Sequence, residues 1–217
     1  MYWLGQLSLT LSTCLYFVWF VPQLILTFKR KDTSGLSLWM HSILFLGYLT
    51  DLMYGFGQHL PIQYRLVTIA GLISLAIEHY QFGYYGLMSS GERNNYRAIS
   101  LALLIIFISV LYNITLRVDS ASVYNIVGII SMFCWLVFAM PQIIKNYQNQ
   151  STEGLSFSFV VLSVVTGILD LISTYALNWP WASKVGAPLG LIQKIILLIQ
   201  CYGYQKQNKQ LIVEVAI

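Results

Sequence analysis

Three ionisable residues lie in stretches of the sequence that are otherwise strongly apolar. Asp51 and Asp170 each lie inside an apolar run, and Lys194 precedes a run of isoleucine and leucine. A charged group in such surroundings is costly unless it is paired, hydrated or neutralised by a proton. The two aspartates are therefore candidates for binding a proton or a cationic group of a solute. Lys194 is expected to pair with Asp170 or Asp51, and the alternative for all three is a fixed structural hydrogen bond or salt bridge.

Four further polar residues lie in apolar stretches and are weaker candidates. Glu78 and His79 are adjacent, and a histidine can exchange a proton near neutral pH. Gln81 and Gln200 suit hydrogen bonds to a solute or between helices. We predict that all four take part in substrate or proton binding, with packing as the alternative. The three histidines show no metal-ligand spacing and no nucleophile motif stands out, so neither a metal, a cofactor nor an enzyme is expected.

Part of the sequence occurs twice, at an offset of 119 residues. Residues 22–52 match residues 141–171 at nine of 31 positions, which include Pro-Gln, Gly-Leu-Ser and an aspartate. This alignment pairs the two aspartates and the two glutamines named above, whereas Lys194 is aligned with Leu75. A membrane protein with two similar halves typically holds its solute between them.

The composition indicates a membrane protein. Only 9% of the residues are charged, 57% are hydrophobic, and the mean hydropathy is +0.67. Soluble domains carry about 25% charged residues. No cleaved signal peptide is evident, and the net charge of +4 is explained by loops, so no nucleic-acid partner is expected. The apolar stretches predict seven transmembrane helices, at about 3–28, 36–58, 62–88, 98–116, 121–146, 155–178 and 184–204.

The repeat predicts how these helices are arranged. Each repeat contains three helices, so a single linking helix is needed for the two repeats to run parallel. We therefore predict an all-α membrane protein in which two parallel three-helix repeats are joined by one helix, in a 3+1+3 order. Its parts are 1–90 (first repeat), 91–119 (linking helix), 120–205 (second repeat) and 206–217 (a cytoplasmic tail).

The distribution of positive charge predicts the orientation. Cytoplasmic segments of membrane proteins carry an excess of lysine and arginine. With the N-terminus outside, eight positive residues lie on the inner side and three on the outer side. This favours an outer N-terminus, a cytoplasmic C-terminus and two cytoplasmic motif loops. The inner residues are Lys29, Arg30, Lys31, Arg93, Arg97, Lys145, Lys206 and Lys209, and the outer ones are Arg65, Arg117 and Lys184.

Two prolines lie inside predicted helices at equivalent positions. Pro22 and Pro141 each remove a backbone donor and are expected to kink the helix. The side chains of Gln23 and Gln142 are local candidates for binding the carbonyl that each kink leaves free. We predict that the four residues form a hinge for a cytoplasmic gate, with a static kink as the alternative.

These motifs resemble those of the PQ-loop family. Pro-Gln at 22–23 and 141–142 is followed in each half by Gly-Leu-Ser, at 35–37 and 154–156. The family includes cystinosin and the lysosomal cationic amino-acid exporters. It is similar in fold to the SWEET sugar transporters and, more distantly, to the KDEL receptor. An aspartate in both halves resembles the cationic amino-acid branch more than the cystine branch.

The resemblance implies a secondary transporter of a small polar solute, most simply a cationic or neutral amino acid, with proton coupling and alternating access. In this hypothesis Asp51 or Asp170 takes a proton, the charges around Lys194 loosen, and the halves rock about Pro22 and Pro141. A SWEET-type sugar transporter and a non-transporting receptor or sensor remain alternatives.

The sequence also suggests partners and a location. The expected partners are a small solute, a proton as the coupling ion and the lipid bilayer, with a homodimer as one alternative for the assembly. No lumenal extension or acidic dileucine sorting signal is evident. We expect a bacterial inner membrane or, in a eukaryote, a lysosomal or vacuolar membrane.

Overall fold

The computed structural model describes residues 1–86, 89–116 and 121–215, and all regular structure in these ranges is helical. This confirms the predicted all-α class. The helices are α1 (Tyr2–Trp19), α2 (Val21–Arg30), α3 (Leu38–Gly57), α4 (Ile62–Tyr85), α5 (Ser90–Leu116), α6 (Ala121–Val137), α7 (Met140–Asn149), α8 (Phe157–Ala176) and α9 (Trp181–Val215).

Six helical segments in the described ranges are long and apolar enough to cross a membrane. The one predicted span that is not among these six, at 36–58, corresponds to α3. This helix has a similar length but carries His41 and Asp51. Most residues of α3 are buried against other helices, so the polar side chains are kept away from lipid. The six segments are Tyr2–Arg30, Ile62–Tyr85, Ser90–Ile114, Ser122–Asn149, Phe157–Ala176 and Trp181–Gln205.

Two predicted helix limits differ from the structure. Helix α5 begins at Ser90 rather than 98, because Ser89 and Glu92 form reciprocal hydrogen bonds that start a helix. Helix α9 continues to Val215, so most of the predicted tail is helical. The predicted end of the third span at 88, and the break at 117–120, lie outside the described residues.

The predicted kinks are confirmed as breaks between helices. Helix α1 ends at Trp19, and α2 begins one residue before Pro22. Helix α6 ends at Val137, and α7 begins one residue before Pro141. Proline is favoured in the first turn of a helix, where its missing N–H has no partner to lose. Each proline therefore starts a new helix instead of bending a continuous one.

The packing of the helices in the first half is matched in the second. Helix α1 packs against α4 and α8, and its equivalent α6 packs against α9 and α3. Helix α3 packs against α4, as α8 packs against α9. Helix α5 packs mainly against α3. The first helix of each half thus faces the second helix of the other half.

The Gly-Leu-Ser motifs begin the second helix of each half. The Ser37 hydroxyl accepts a hydrogen bond from the Met40 amide at the start of α3, and Ser156 accepts one from Phe159 at the start of α8. Both serines have extended backbone angles, as expected for a helix N-cap. The motif therefore fixes the point at which α3 and α8 begin.

Candidate functional site

A cavity of about 120 Å³ lies at the centre of the bundle, between α1, α3, α4, α6, α8 and α9. Both aspartates and Lys194 line it. The structure therefore brings together the three residues that the sequence singled out first. The cavity extends toward the helix ends opposite the Gly-Leu-Ser loops, where Tyr64 and Trp179 line it.

Asp51 is held by the first helix of the second half. The hydroxyl of Ser131 donates a short hydrogen bond to Oδ1 of Asp51, and Nε1 of Trp135 donates to Oδ2 at 2.8 Å. Both donors lie one turn apart on α6. The side chain of Asp51 is buried, and both of these donors are uncharged.

Asp170 is held in the same manner by the first helix of the first half. The hydroxyls of Ser12 and Tyr16, one turn apart on α1, donate short hydrogen bonds to its two oxygens. Ser12 and Tyr16 are equivalent to Ser131 and Trp135 at the repeat offset of 119 residues. Each aspartate is therefore bound by a serine and an aromatic residue of the opposite half.

Lys194 is buried, with 4% of its surface exposed. Its Nζ lies 5.3 Å from the centre of the Trp19 ring and 5.9 Å from that of Trp135. The predicted salt bridge is wrong, because no carboxylate of the described chain lies within 4.0 Å of this nitrogen. Asp170 already accepts two hydroxyl hydrogen bonds, and the ammonium is stabilised by the aromatic faces instead. Lys194 still interacts electrostatically with Asp170.

The hydroxyl of Tyr48 lies near both carboxylates. It is buried and has no hydrogen-bond partner within the described ranges, and Asp51 and Asp170 both act on it electrostatically. A buried hydroxyl without a partner costs about 1–3 kcal/mol. A polar group of a bound solute would satisfy this hydroxyl.

Gln81 and Gln200 lie outside the cavity lining and bind neighbouring helices. Nε2 of Gln81 donates to the carbonyl of Leu24 at 3.0 Å, and Nε2 of Gln200 donates to the carbonyl of Ile143 at 3.1 Å. Gln200 also accepts a hydrogen bond from Asn146 at 3.1 Å. These contacts tie α4 to α2 and α9 to α7, which corresponds to the packing alternative.

Glu78 and His79 also lie outside the cavity lining. They form a separate cluster with His41, whose Nδ1 is 3.4 Å from Oε2 of Glu78 and whose Nε2 is 3.1 Å from Nδ1 of His79. Their role in proton binding therefore stays a prediction, and it concerns a place other than the cavity.

The glutamine of the second Pro-Gln motif binds the first loop. Oε1 of Gln142 accepts a hydrogen bond from the Ser37 amide at 2.7 Å, and its Nε2 donates to the Gly35 carbonyl at 2.9 Å. Gln142 is fully buried. The side-chain amide thus pairs with a backbone donor and a backbone acceptor of the opposite half.

The glutamine of the first Pro-Gln motif does the same to the second loop. Oε1 of Gln23 accepts from the Ser156 amide at 2.8 Å, and Nε2 donates to the Gly154 carbonyl at 3.0 Å. The predicted local partner, a carbonyl freed by the proline, is therefore wrong for both glutamines. The loop N–H groups are buried, the loop C=O groups are half-buried, and both lie outside any helix, so they need a partner from another element.

The two loops touch each other. A side-chain carbon on Gly35 would lie 1.8 Å from the carbonyl oxygen of Glu153, so only glycine fits there. Gly154 lies on the other side of the contact with a φ of 92°, which favours glycine. Arg30 also forms a salt bridge with Glu153, at 2.7 Å. This end of the bundle is closed by backbone contact.

An aromatic layer separates the cavity from the loops. Trp19 stacks on Phe159 with a centroid distance of 5.3 Å, and Phe20 lies 5.5 Å from the same ring. The indole of Trp19 donates to the Phe159 carbonyl at 3.2 Å. All three side chains are buried.

Sequence reasoning missed five residues that complete these sites: Ser12, Tyr16, Ser131, Trp135 and His41. The two serines are identical at the repeat offset, and this signal was available in the sequence. Tyr16 is aligned with Trp135, and His41 is aligned with Val160, so neither position is identical in the two halves. These residues became evident only from their contacts.

The internal repeat agrees with comparisons to known proteins. The chain is 33% identical over 102 residues to the vacuolar histidine transporter YPQ3 of Saccharomyces cerevisiae, a match that covers 47% of this chain and 34% of that transporter. It is 26% identical over 230 residues to a cystinosin homolog of Dictyostelium discoideum, covering 87% and 80% of the two chains. The chain thus spans about a third of the length of the yeast relative.

A solved structure shows a similar fold. A eukaryotic SWEET transporter superposes with a TM-score of 0.66 at 17% identity, covering 94% of this chain and 99% of that chain. The chain is therefore a multi-pass membrane protein with a SWEET-like fold. The yeast relative and the solved structure are both named as transporters, in agreement with the prediction that the chain is not an enzyme.

A family model for the PQ loop repeat matches the chain twice, at residues 4–64 and 123–183. The two matches differ by the same 119 residues that relate the aspartates, the serines and the Pro-Gln motifs. Because they cover more than half of the sequence, the chain belongs to the PQ-loop family.

Proposed function

We propose that the protein is a proton-coupled secondary transporter of cationic amino acids. The observation that carries this proposal is the charge of the cavity, which is lined by two carboxylates and one ammonium. A cationic amino acid has the complementary set, with two cationic groups and one carboxylate. A sugar offers no charge to any of these three residues.

The surroundings of the three charged residues assign a role to each. Lys194 is the partner for the carboxylate of the substrate, since no protein carboxylate within the described structure pairs with its ammonium. Asp170, which interacts with Lys194, is the partner for the α-ammonium group of the same substrate. Asp51 is left for the cationic side chain, and the hydroxyl of Tyr48 lies near both aspartates.

Proton coupling follows from competition at Asp51. Its hydrogen-bond donors, Ser131 and Trp135, are uncharged, so the carboxylate needs either a proton or a substrate cation for neutralisation. A proton and the cationic side chain then exclude each other. The two are carried in opposite directions when the cavity changes its accessible side.

The duplicated structure supports an alternating-access mechanism. We infer the 3+1+3 arrangement of two parallel repeats, with α5 as the linking helix, from the matching helix pairs of the two halves. The positive residues near the loops favour a cytoplasmic location for that end. The breaks before Pro22 and Pro141 are the proposed hinges, because few backbone hydrogen bonds cross them.

In this proposal the structure is closed on the cytoplasmic side. The Pro-Gln side chains, the Gly-Leu-Ser loops and the aromatic layer form the closed gate. Opening requires Gln23 and Gln142 to release the opposite loops together. The yeast relative is named as vacuolar, and we propose a vacuolar or lysosomal membrane for this chain, with the cavity open to the lumen. A homodimer stays a prediction.

The test is uptake by the purified protein in liposomes, with lysine, histidine, leucine and glucose as radiolabelled probes. We expect an inside-acid gradient to drive accumulation of lysine or histidine and collapse of the gradient to stop it. Asp170→Asn should abolish uptake, and Glu92→Gln, at the exposed start of α5, serves as the matched control because glutamine can keep the same helix cap.

Other outcomes contradict the proposal in distinct ways. Uptake of glucose without uptake of amino acids would indicate a sugar transporter. Stoichiometric binding of an amino acid without accumulation would indicate a receptor. Lysine uptake driven equally well by an inside-alkaline gradient would refute competition at Asp51.

A further inference from the structure

Three titratable side chains form a hydrogen-bonded chain that the proposed transport site does not use. Glu78 contacts His41, and His41 contacts His79. Nε2 of His79 lies 2.7 Å from the hydroxyl of Ser100 on α5. His41 and Glu78 are buried, while His79 is partly exposed. The chain thus runs from the interior of the first half to its edge.

The hydroxyl of Ser100 favours one direction for the hydrogen bonds in this chain. Its single proton is donated to the carbonyl of Tyr96 at 2.7 Å, so it accepts from Nε2–H of His79. In neutral His79 the other ring nitrogen, Nδ1, is then an acceptor. It must receive the Nε2–H of His41, which leaves Nδ1 of His41 facing Glu78.

In this arrangement the contact between His41 and Glu78 requires one proton. Without it, the lone pair of Nδ1 faces a carboxylate oxygen 3.4 Å away, and two acceptors repel each other in a buried place. With it, the pair is either a carboxylic acid with a neutral imidazole or a carboxylate with an imidazolium. Both forms leave the cluster with no net charge, which is the least costly state for buried groups.

The same chain offers a route for that proton. A shift from His41 Nε2 to His79 Nδ1, with a second proton passing from Glu78 to His41, moves the charge to His79 without rotating any ring. The rings of His41 and His79 stack at 5.1 Å, and His79 stacks on Tyr96 at 4.7 Å. His79 is thus the entry point at the edge of the bundle.

Few other titratable groups meet the chain. From α3 it is faced by His41, from α4 by Glu78 and His79, and from α5 by Tyr96, whose hydroxyl donates to the carbonyl of His79 at 3.1 Å. No lysine or arginine side chain in the described structure lies within 4.0 Å of Glu78. Neutralisation of Glu78 therefore depends on a proton.

We propose that Glu78, His41 and His79 form a second proton-binding site, separate from the central cavity, in which a proton enters at His79 and is held between His41 and Glu78. The proposal deepens the proposed transport function, because it places a proton site beside the closed gate. The binding of the proton itself does not depend on that function.

Contacts along two helices connect this site to the gate. The amide of His41 donates to the carbonyl of Ser37 at 3.1 Å, and Ser37 is the residue that Gln142 binds. One turn beyond Glu78, Gln81 binds the carbonyl of Leu24 on α2. Loss of the proton leaves a net negative charge buried beside both connections, which is a costly state.

The test is nuclear magnetic resonance of the full-length protein labelled with 15N-histidine, in lipid. The sequence contains three histidines, and exposed His59 is an internal reference that His59→Gln assigns. We expect the nitrogens of His41 and His79 to change protonation together at one pH, separately from His59. Glu78→Gln should remove this change, because the glutamine amide can donate to Nδ1 of His41 without a titrating proton.

A second variant keeps the test decisive if Glu78→Gln does not fold. Ser100→Ala removes only the acceptor of His79 Nε2, and should shift the titration of both His41 and His79 while leaving His59 unchanged. Separate titrations of His41 and His79, or no change in either while His59 titrates, would overturn the proposal.

An uptake assay separates this proposal from the transport function. Glu78→Gln should keep the affinity for lysine within about twofold and lower the dependence of uptake on loop-side pH about fivefold or more. Joint histidine titration in a protein that transports nothing would support the proton site and contradict the transport function. Normal transport by a protein in which His41 and His79 titrate separately would support the transport function and contradict the proton site.

Discussion

Asp51 and Asp170 occupy equivalent places in the two halves, yet their surroundings differ. Each accepts hydrogen bonds from a serine and an aromatic residue of the opposite half. Beside Asp170, however, the chain has Gly167 and Lys194, where the first half has Tyr48 and Leu75. The two halves share the carboxylate and its serine donor, and they differ in what fills the space next to the carboxylate.

The two exchanges compensate each other in volume. A side-chain carbon on Gly167 would lie 3.3 Å from Cδ of Lys194, so the glycine makes room for the lysine. In the first half, Tyr48 fills the equivalent space and packs against Gly71, where a side-chain carbon would lie 2.5 Å from its ring. One half thus gains a cation, and the other gains a hydroxyl. In the proposed mechanism, Asp170 binds the α-ammonium group of the substrate, and Asp51 binds either a proton or the cationic side chain.

The largest expected effect comes from Asp170→Asn compared with Asp51→Asn. Asp170→Asn should weaken lysine binding about a hundredfold or more, because it removes a buried charge-assisted pair and leaves Lys194 without a neutralising carboxylate. Asp51→Asn should weaken lysine binding about tenfold and remove its dependence on pH. Calorimetric titration at acidic and neutral pH measures both.

The sign of this pH effect follows from competition. In the wild type, lysine binding should weaken as the pH falls, since a proton then occupies Asp51. Equal losses of affinity in the two variants, with the same remaining pH dependence, would show that the two aspartates do not differ in role.

Lys194→Met tests the cation that distinguishes the halves. Lysine should bind about tenfold to a hundredfold more weakly, because its carboxylate loses an ammonium partner, whereas cadaverine, which lacks the carboxylate, should bind no more weakly than to the wild type. Leu75→Met, at the equivalent position, is the matched control and should leave both affinities unchanged. An equal loss of affinity for lysine and for cadaverine would show that Lys194 does not bind the carboxylate of the substrate.

The Pro-Gln contacts are expected to be alike in the two halves. Gln23→Leu and Gln142→Leu each leave a buried loop amide and a buried loop carbonyl without partners, so each should destabilise the closed protein by about 2–4 kcal/mol. Thermal unfolding should show similar decreases in melting temperature for the two variants. A large decrease for one variant alone would show that the gate is not held symmetrically.

The smallest effect is expected at the ion pair between Arg30 and Glu153, which joins the two loops and has no counterpart at the equivalent positions of the repeat. Arg30 and Glu153 are equivalent to Asn149 and Ser34, so the second half has no matching pair. The pair is partly exposed, and such pairs contribute about 0–1 kcal/mol. Arg30→Ala should therefore change the melting temperature very little. A decrease as large as that of Gln142→Leu would mean that charge, rather than backbone hydrogen bonding, holds the loops together.

The sequence by itself determined the class, the duplication and the main candidates. Long apolar runs predict helices because every backbone polar group in a membrane needs an internal partner. The prolines at 22 and 141 predict breaks because proline lacks the N–H that a helix interior needs. The aspartates could be found because a carboxylate is out of place in an apolar run. Their equivalence followed from an offset that any alignment of the chain with itself displays.

Only the tertiary structure decided which groups meet. The partners of Gln23 and Asp170 lie more than a hundred residues away along the chain, and no local pattern names them. Lys194 was expected in a salt bridge, but the space left by Gly167 places its ammonium over aromatic rings. His41 was overlooked because a single histidine carries no signal until Glu78 and His79 are seen beside it. Side-chain type follows from sequence, whereas pairing depends on how the helices of the two halves cross.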